Sequence, residues 1–505
     1  MGLSSTLNIA QSSLATNSAL SSILSRNIAG VNNPNYSLKT GEVVTGSNGA
    51  SLFIGVKQAT NTALFGNLLT ANADAASSQA LADGLNQLEQ TINLSGTGSP
   101  NSSAVSTASD VNDISPASAI GKMVTALQTY AAAPSDTASA QAALNGAQNL
   151  VTTLNNASAT VQTVRLQADQ AMAASVSDVN ALLQQFGTVN TQIIQGTASG
   201  QDVSDAMDTR NGILNSLSQE MGITTASLPN GGMALYTDGG VTLFQDTART
   251  VSFSATGSFA PGSSGAAVMV DGVPVTGASA VMDLRSGKLA GLAQLRDVTT
   301  VAYQQQLDQI AGGLIDATAE TNTGGGTSTT VAGLFTVAGG VTLPASGQVG
   351  LAATIKVNAA VDPSQGGTLT LLRDGGIGGG TSATTVNGNT SGDSGYSGYI
   401  TGLVDSLTAT RSFDPTSGGT PVGSLATYAS SSVSWVEAQR QTATAAASDR
   451  SAVVSQTTTS LSNATGVNLD DQLSQMLEIE HSYQASAQLI TTVKNMLDSL
   501  LTAVQ

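Results

Sequence analysis

Apolar residues near the start of the chain recur in alternating steps of four and three. The seam reads Leu3, Leu7, Ala10, Leu14, Asn17, Ser21, Leu24, Ile28 and Val31, and all but Asn17 and Ser21 are apolar. That spacing is the coiled-coil signal and predicts one helix over residues 1–31. Residues 469–505 repeat it as Leu469, Leu473, Met476, Glu480, Tyr483, Ala487, Ile490, Lys494, Leu497, Leu501 and Val504. Leu489, Val493, Met496 and Leu500 add a second stripe, so two faces of this helix are sticky. Asn468 stands where an N-cap belongs, and Asp470 and Asp471 suit the positive end of the helix that follows. The simplest geometry for two such ends is an antiparallel pair at one pole of the molecule.

The pattern changes several times in between. Residues 60–94 are helix-periodic through Leu64, Leu68, Leu81, Leu85, Leu88 and Ile92, and a Gly/Ser/Asn loop follows over about 95–113. Residues 115–221 read as nearly continuous helix, broken at Pro134, with Ser135 a cap for the restart, and at 196–200. Residues 222–285 switch to period two. Apolar runs flank Asp238-Gly239 and Asp271-Gly272, and both read as hairpins. Residues 286–322 return to helix; 323–395 are Gly-rich with short strands at 354–357 and 368–372; 396–463 are helical with an interruption at 412–422. The predicted fold is mainly α and multidomain, with a β insertion. Residues 1–59 with 464–505 form a terminal coiled coil. Residues 60–221 with 286–322 and 396–463 form a helical-bundle body. Residues 222–285 and 323–395 form a central β-rich outer region.

Charge narrows the function. Acids number 33 against 16 bases, a net charge of −17, and the bases are scattered singly. Phosphate binding needs clustered Lys and Arg, so nucleic acid and anionic membrane are excluded as partners. With no Cys and one His, His481, no thiolate site, His-rich metal cage or cysteine nucleophile is available, and any Ser-His-Asp triad would depend on His481 alone. His481 lies in a heptad helix with no second ligand, so no catalytic residue, metal or cofactor is assigned and the chain is read as non-enzymatic. The stretch at 374–380, DGGIGGG, matches no phosphate loop and reads as a turn. Trp435 reads as a core anchor. No apolar run reaches the roughly 18 residues that would span a membrane. The start of the chain lacks the basic and apolar regions of a secretory signal, which hints at another export route.

The terminal helices carry more information than their periodicity. Residues 1–31 contain one charged side chain, Arg26. A surface helix normally shows a charged outer face, so this one is expected to be contacted on more than one side. Asn17, in the seam, is expected to fix register. With Leu3 opposite Val504, Arg26 would fall beside Glu480 and His481, a candidate ion pair.

The segment 25–37, SRNIAGVNNPNYS, resembles the N-terminal signature of the flagellar axial proteins, the rod, hook and hook-associated family, which reads S-x-N-I-A-N-x-N-T-x-G-Y. Gly30, Asn33 and Asn35 depart from it; Asn35 replaces a Gly and can adopt the left-handed conformation. The run 466–471, GVNLDD, followed by YQASAQLI at 483–490 and MLDSLL at 496–501, resembles the matching C-terminus. Residues 207–218, MDTRNGILNSLS, resemble L-D-x-R-D-x-L-x-x-x-L of the hook-associated branch, as do 240–249, 287–322 and 355–358. The resemblance implies a structural protein, secreted unfolded through the flagellar type III apparatus and assembled at the hook–filament junction. Implied partners are copies of itself in a ring or helical lattice, the hook protein, a second junction protein, and an export chaperone on the C-terminal helix. The assembly interface is assigned to Leu3, Leu7, Leu14, Asn17, Leu24, Asn27, Ile28, Asn32 and Tyr36 with Leu469, Leu473, Met476, Leu477, Tyr483, Ile490, Leu497 and Leu501. The competing readings are another axial protein of hook or rod type, which the helical block at 115–221 disfavours, and a secreted adhesin or surface-layer protein, supported by the Gly/Ser/Thr-rich region.

Overall fold

The computed structural model describes residues 2–47, 49–92, 115–322, 329–337, 340, 342–379 and 388–504. Helix dominates. The first helix, α1 (Leu3–Gly30), is followed by a hairpin of β1 (Lys39–Thr45) and β2 (Ser51–Gln58) that lies along it. Gly41 makes this contact close: a Cβ there would strike Leu20, with Ile23 beside it.

The body is a bundle of long helices. After α2 (Thr62–Ile92), α3 (Pro116–Ala132) is capped by the Ser115 side chain on Ser118 N–H, 3.2 Å. The restart after Pro134 is capped by Asp136 rather than by Ser135, through the N–H groups of Ala138 and Ser139. A carboxylate there also meets the positive helix end. The helix it starts, α4 (Thr137–Ser199), runs 63 residues and ends in a left-handed C-cap at Gly200, φ +70°, within the break expected at 196–200. At about 1.5 Å per residue it is a strut of roughly 95 Å. Its inner stripe (Leu144, Leu150, Leu154, Val161, Met172, Val179, Leu183, Phe186) is buried. α5 (Ser204–Glu220) returns along it.

The β insertion follows as two small antiparallel sheets. β3 (Ile223–Ser227), β4 (Met233–Thr237) and β5 (Thr242–Phe244) form one; β6 (Val251–Ser252), β7 (Met269–Val270) and β8 (Val273–Pro274) form the other. Both expected hairpins are present. Asp271 (φ 50°) and Gly272 (φ 80°) adopt the positive φ pair that a two-residue hairpin requires. The insertion is held to α4 by polar side chains on one helix face. Asn180 exchanges hydrogen bonds with the backbone of Val251, Asp169 accepts Thr256 N–H, and Arg165 donates to Ser263 O at 2.6 Å. Behind them the fully buried Arg296 pairs with Asp169 and Asp297 and donates to Ala266 O.

The chain re-enters the bundle through α6 (Lys288–Gln294), where a Cβ on Gly291 would collide with the Ser77 carbonyl of α2. A π-helical turn, Leu295–Thr299, leads into α7 (Thr300–Ala317). The Gly-rich region carries two short strand pairs, β9 (Glu320–Asn322) with β10 (Thr329–Val331) and β11 (Phe335–Val337) with β12 (Ile355–Val357), the latter after a single turn, α8 (Leu351–Thr354). The strand expected at 368–372 is not formed; this stretch runs into a helical turn, α9 (Leu371–Asp374), closed by Gly375 at φ 82°. The helices α10 (Gly398–Thr408), α11 (Leu425–Thr465) and α12 (Leu469–Val504) complete the chain, with β13 (Arg411–Ser412) and β14 (Val422–Gly423) between the first two. α11 runs beside α2, and Trp435 on it sits half-buried at the edge of the core. The loop expected at 95–113 lies wholly outside the described residues, as does residue 380 of the stretch 374–380. No helix among the described residues is long and apolar enough to cross a membrane.

Candidate assembly interface

α1 and α12 pair antiparallel through polar contacts in one register. Asn27 Nδ2 donates to Gln472 Oε1 at 2.7 Å, Asn17 Nδ2 to Ser482 Oγ at 3.0 Å, and the Ser13 and Ser486 hydroxyls meet at 3.0 Å. Asn17 thus makes a cross-helix bond. Buried side chains at the pair are Ala10, Asn17, Leu24 and Asn27 on one helix and Gln472, Ser486 and Val493 on the other. Thr16 bonds Ser51 O of the hairpin, so α1 is covered on two sides.

The face of α12 that meets α1 is not its heptad seam. Leu469, Leu473, Met476, Leu477, Tyr483, Leu497 and Leu501 are exposed, with Leu477 at 60 % and Leu501 at 64 %. Of the α12 residues assigned to the assembly interface, only Ile490 is half-buried. On α1, Leu24, Asn17 and Asn27 are buried and Leu7, Leu14 and Ile28 are half-buried; in the turn after it Tyr36 is half-buried and Asn32 exposed, and the Leu3 side chain lies outside the described residues. The physical reason is closeness. Ser, Asn and Gln satisfy one another across a tight contact, while the longer apolar side chains of α12 are left beside it and stay uncovered. Beside the contact runs an open groove of about 670 Å³, between Asn17 and Ser21 on α1 and Leu473, Met476, Leu477 and Tyr483 on α12.

The signature segment forms the joint between this pair and the body. Asn27 satisfies both ends of its amide: Nδ2 also donates to Lys39 O at 2.8 Å, and Oδ1 accepts Tyr36 OH at 2.9 Å and Lys39 N–H at 3.1 Å. Leu38 stitches two chain passages together, its N–H on Thr465 O and its carbonyl receiving Ala59 N–H. The buried Lys39 ammonium sits 4.2 Å over the Tyr36 ring and pairs with Asp205 and Asp208 of α5. Asp208 also receives Ser37 N–H and the Gln58 amide. Arg26 does not reach Glu480 or His481. It pairs with Asp202 at 2.8 Å and Asp205 at 2.7 Å, because the observed register shifts α12 by roughly two turns from the one assumed and α5 stands closer. Asn35 does not take up the left-handed conformation; its side chain accepts from Asn215.

Burial and charge oppose each other at this joint. Desolvation pulls the Lys39 ammonium down, but its bonds to Asp205 and Asp208 outweigh that and leave its pKa raised. Desolvation pushes Asp208 up, and Lys39 only partly offsets it. Asp202 and Asp205 are also desolvated, yet hydrogen bonds from Ser204 and Arg26 on the former, and Lys39 and Arg26 on the latter, hold both below the usual carboxylate range. Heptad counting missed Gln472, Ser482, Ser486, Lys39, Asp205 and Asp208. The acids at 202, 205 and 208 do stand one helical turn apart, the one signal the sequence offered.

Comparison with known proteins matches these two regions separately. The helical-domain model of flagellar hook-associated protein FlgK matches residues 102–335, and the C-terminal model of the flagellar basal body rod proteins FlgEFG matches 461–503. No curated protein matches the chain. Among solved structures, the flagellar hook junction protein FlgK from Burkholderia pseudomallei aligns at 22 % identity and TM-score 0.41, over 54 % of this chain. The aligned part spans 46 % of that protein, less than half its length. One family model thus falls on the helical body and insertion and the other on α12, so the chain is similar to flagellar hook-associated proteins over its body and to flagellar rod proteins at its C-terminal helix.

Proposed function

We propose that this protein is a structural subunit of the bacterial flagellum that forms the junction between hook and filament. The observation that carries this is the outward apolar stripe of α12 beside a polar α1 contact. An array of identical subunits needs heterologous contacts, in which one face of a subunit meets a different face of the next. A helix that satisfies its intramolecular partner with Gln472, Ser482 and Ser486 keeps its leucines for such a neighbour. The neighbours are copies of this chain in a ring or helical lattice, the hook protein below, and a second junction protein above. The chain leaves the cell through the flagellar export apparatus, with a chaperone over α12 before assembly, since an exposed stripe of this kind is aggregation-prone. Its role is mechanical rather than catalytic.

Deletion of the gene tests this by electron microscopy and analysis of the culture supernatant. Cells with hooks, no filaments and shed flagellin are expected. Normal filaments would overturn the reading, and loss of hooks would move the protein inward to hook or rod. For the chaperone, removal of residues 469–505 is expected to abolish binding; tight binding by the shortened chain would refute that part.

A further inference from the structure

The hairpin of β1 and β2 leaves an apolar face uncovered. A Cβ on Gly41 would point into Leu20 of α1, so alternation sets Val43 and its partner Phe53 toward α1, and Val44 and its partner Leu52 away from it. Val44 and Leu52 are exposed, and Ile54, which the bulge leaves without a cross-strand partner, is 58 % exposed. The solvent face of an antiparallel sheet ordinarily carries polar residues, and a contiguous apolar patch marks a contact surface. A second uncovered apolar surface is the groove between α1 and α12, walled by Leu473, Met476, Leu477 and Tyr483.

The two surfaces are placed so that one chain cannot close them on each other. The hairpin meets α1 at Thr16, Leu20 and Ile23, and the groove uses Asn17, Ser18 and Ser21. At about 100° of turn per residue, these two sets point roughly 140° apart around the same helix. They also lie at one height along it, within about two turns. A twofold dimer presents one side of each copy to the other and would leave one of the two surfaces open, whereas a heterologous contact covers both and propagates. We propose that the outward face of the hairpin, Val44, Leu52 and Ile54, docks in the α1–α12 groove of a neighbouring copy of this chain. Equal height makes the copies stand abreast, as in a ring or a shallow helix, rather than end to end. Charge agrees with this, since Glu480 is the charged residue in the groove wall and Lys57 the exposed base of the hairpin. The inference rests on the reading of the chain as a self-assembling subunit and names the surface that the α12 leucines meet.

The chain has no Cys, so an introduced pair reports its own contact. The full chain carrying both Ile54→Cys and Leu477→Cys is concentrated, checked for polymer by sedimentation, oxidised, and run on a non-reducing gel. A ladder of disulfide-linked oligomers is expected. An equal mixture of the two single variants is expected to stop at the dimer. Val281→Cys with Leu477→Cys is expected to give no ladder, although Val281 is exposed on the β insertion. Ile54→Asp is expected to abolish polymerisation while the far-ultraviolet circular dichroism stays unchanged. Polymer without the ladder, dimers from Ile54→Cys alone, or a chain that stays monomeric would overturn the proposal. So would undiminished polymerisation of Ile54→Asp, which would give the hairpin face to a different protein. Polymer without the ladder leaves the structural-subunit reading standing, and the deletion phenotype judges that reading by itself.

Discussion

Asn27 shows how much one side chain can hold. It bonds α12, the signature turn and β1 at once, and every partner is partly or fully buried. Asn27→Ala leaves several of these groups unpaired, for a loss of about 2–3 kcal/mol in urea unfolding, whereas the exposed Asn32→Ala changes stability by less than about 0.5 kcal/mol. The acids of the joint give a second prediction with opposing signs. Asp202 and Asp205 have folded pKa values below the ordinary one, so their contribution is present at neutral pH and lost as pH falls below about 4. Asp208 is raised, so it favours folding more as it takes up a proton on the way down. Asp208→Asn removes that second branch. Urea midpoints measured from neutral to acid pH are expected to fall steadily for this variant, and to hold level before falling for the parent. The sequence made Asn27 legible through the signature, but not its partners. Lys39 and Asp208 are 169 positions apart and meet only because α5 folds back to the joint.

At the level of elements, the sequence told where α12 is sticky but not which way the stripe faces. Two stripes were visible, and either could have met α1. Polar residues decided it, since Gln472, Ser482 and Ser486 have matching partners at Asn27, Asn17 and Ser13. The prediction is a split between assembly and stability. Leu477→Asp and Leu501→Asp are expected to leave monomer unfolding unchanged within about 0.5 kcal/mol yet abolish polymerisation measured by sedimentation. Val493→Asp, at 2 % exposure, is expected to loosen the pair itself, read as hydrogen exchange in α1. Long helices and the two Asp-Gly hairpins were legible because period and turn chemistry act locally. The failed strand at 368–372 shows the limit: in a Gly-rich stretch alternation is too weak to outweigh the tertiary contacts around it.

For the whole molecule, the β insertion depends on the buried Arg296–Asp169 pair as well as on apolar contact. Arg296→Met leaves the Asp169 charge buried and unpaired, and is expected to cost about 3–5 kcal/mol, with Arg296→Met/Asp169→Leu recovering part of it; urea unfolding and limited proteolysis of 223–284 report both. Nothing in the spacing of Asp169 and Arg296 announced this pair, which spans the insertion it secures. The joint, finally, has a mechanical meaning. The chain passes between terminal pair and body at residues 59–61 and 466–468, and Leu38 binds both passages side by side. Two adjacent strands bend easily and resist torsion poorly. Resistance to twist therefore falls to the ion pairs set off that axis, Arg26 with Asp202 and Asp205, and Lys39 with Asp205 and Asp208. Arg26 and Asp205 are partly exposed and screened by salt. Raising the ionic strength of the medium is therefore expected to loosen the grip of the terminal pair on the body, read as faster hydrogen exchange around residues 37–39.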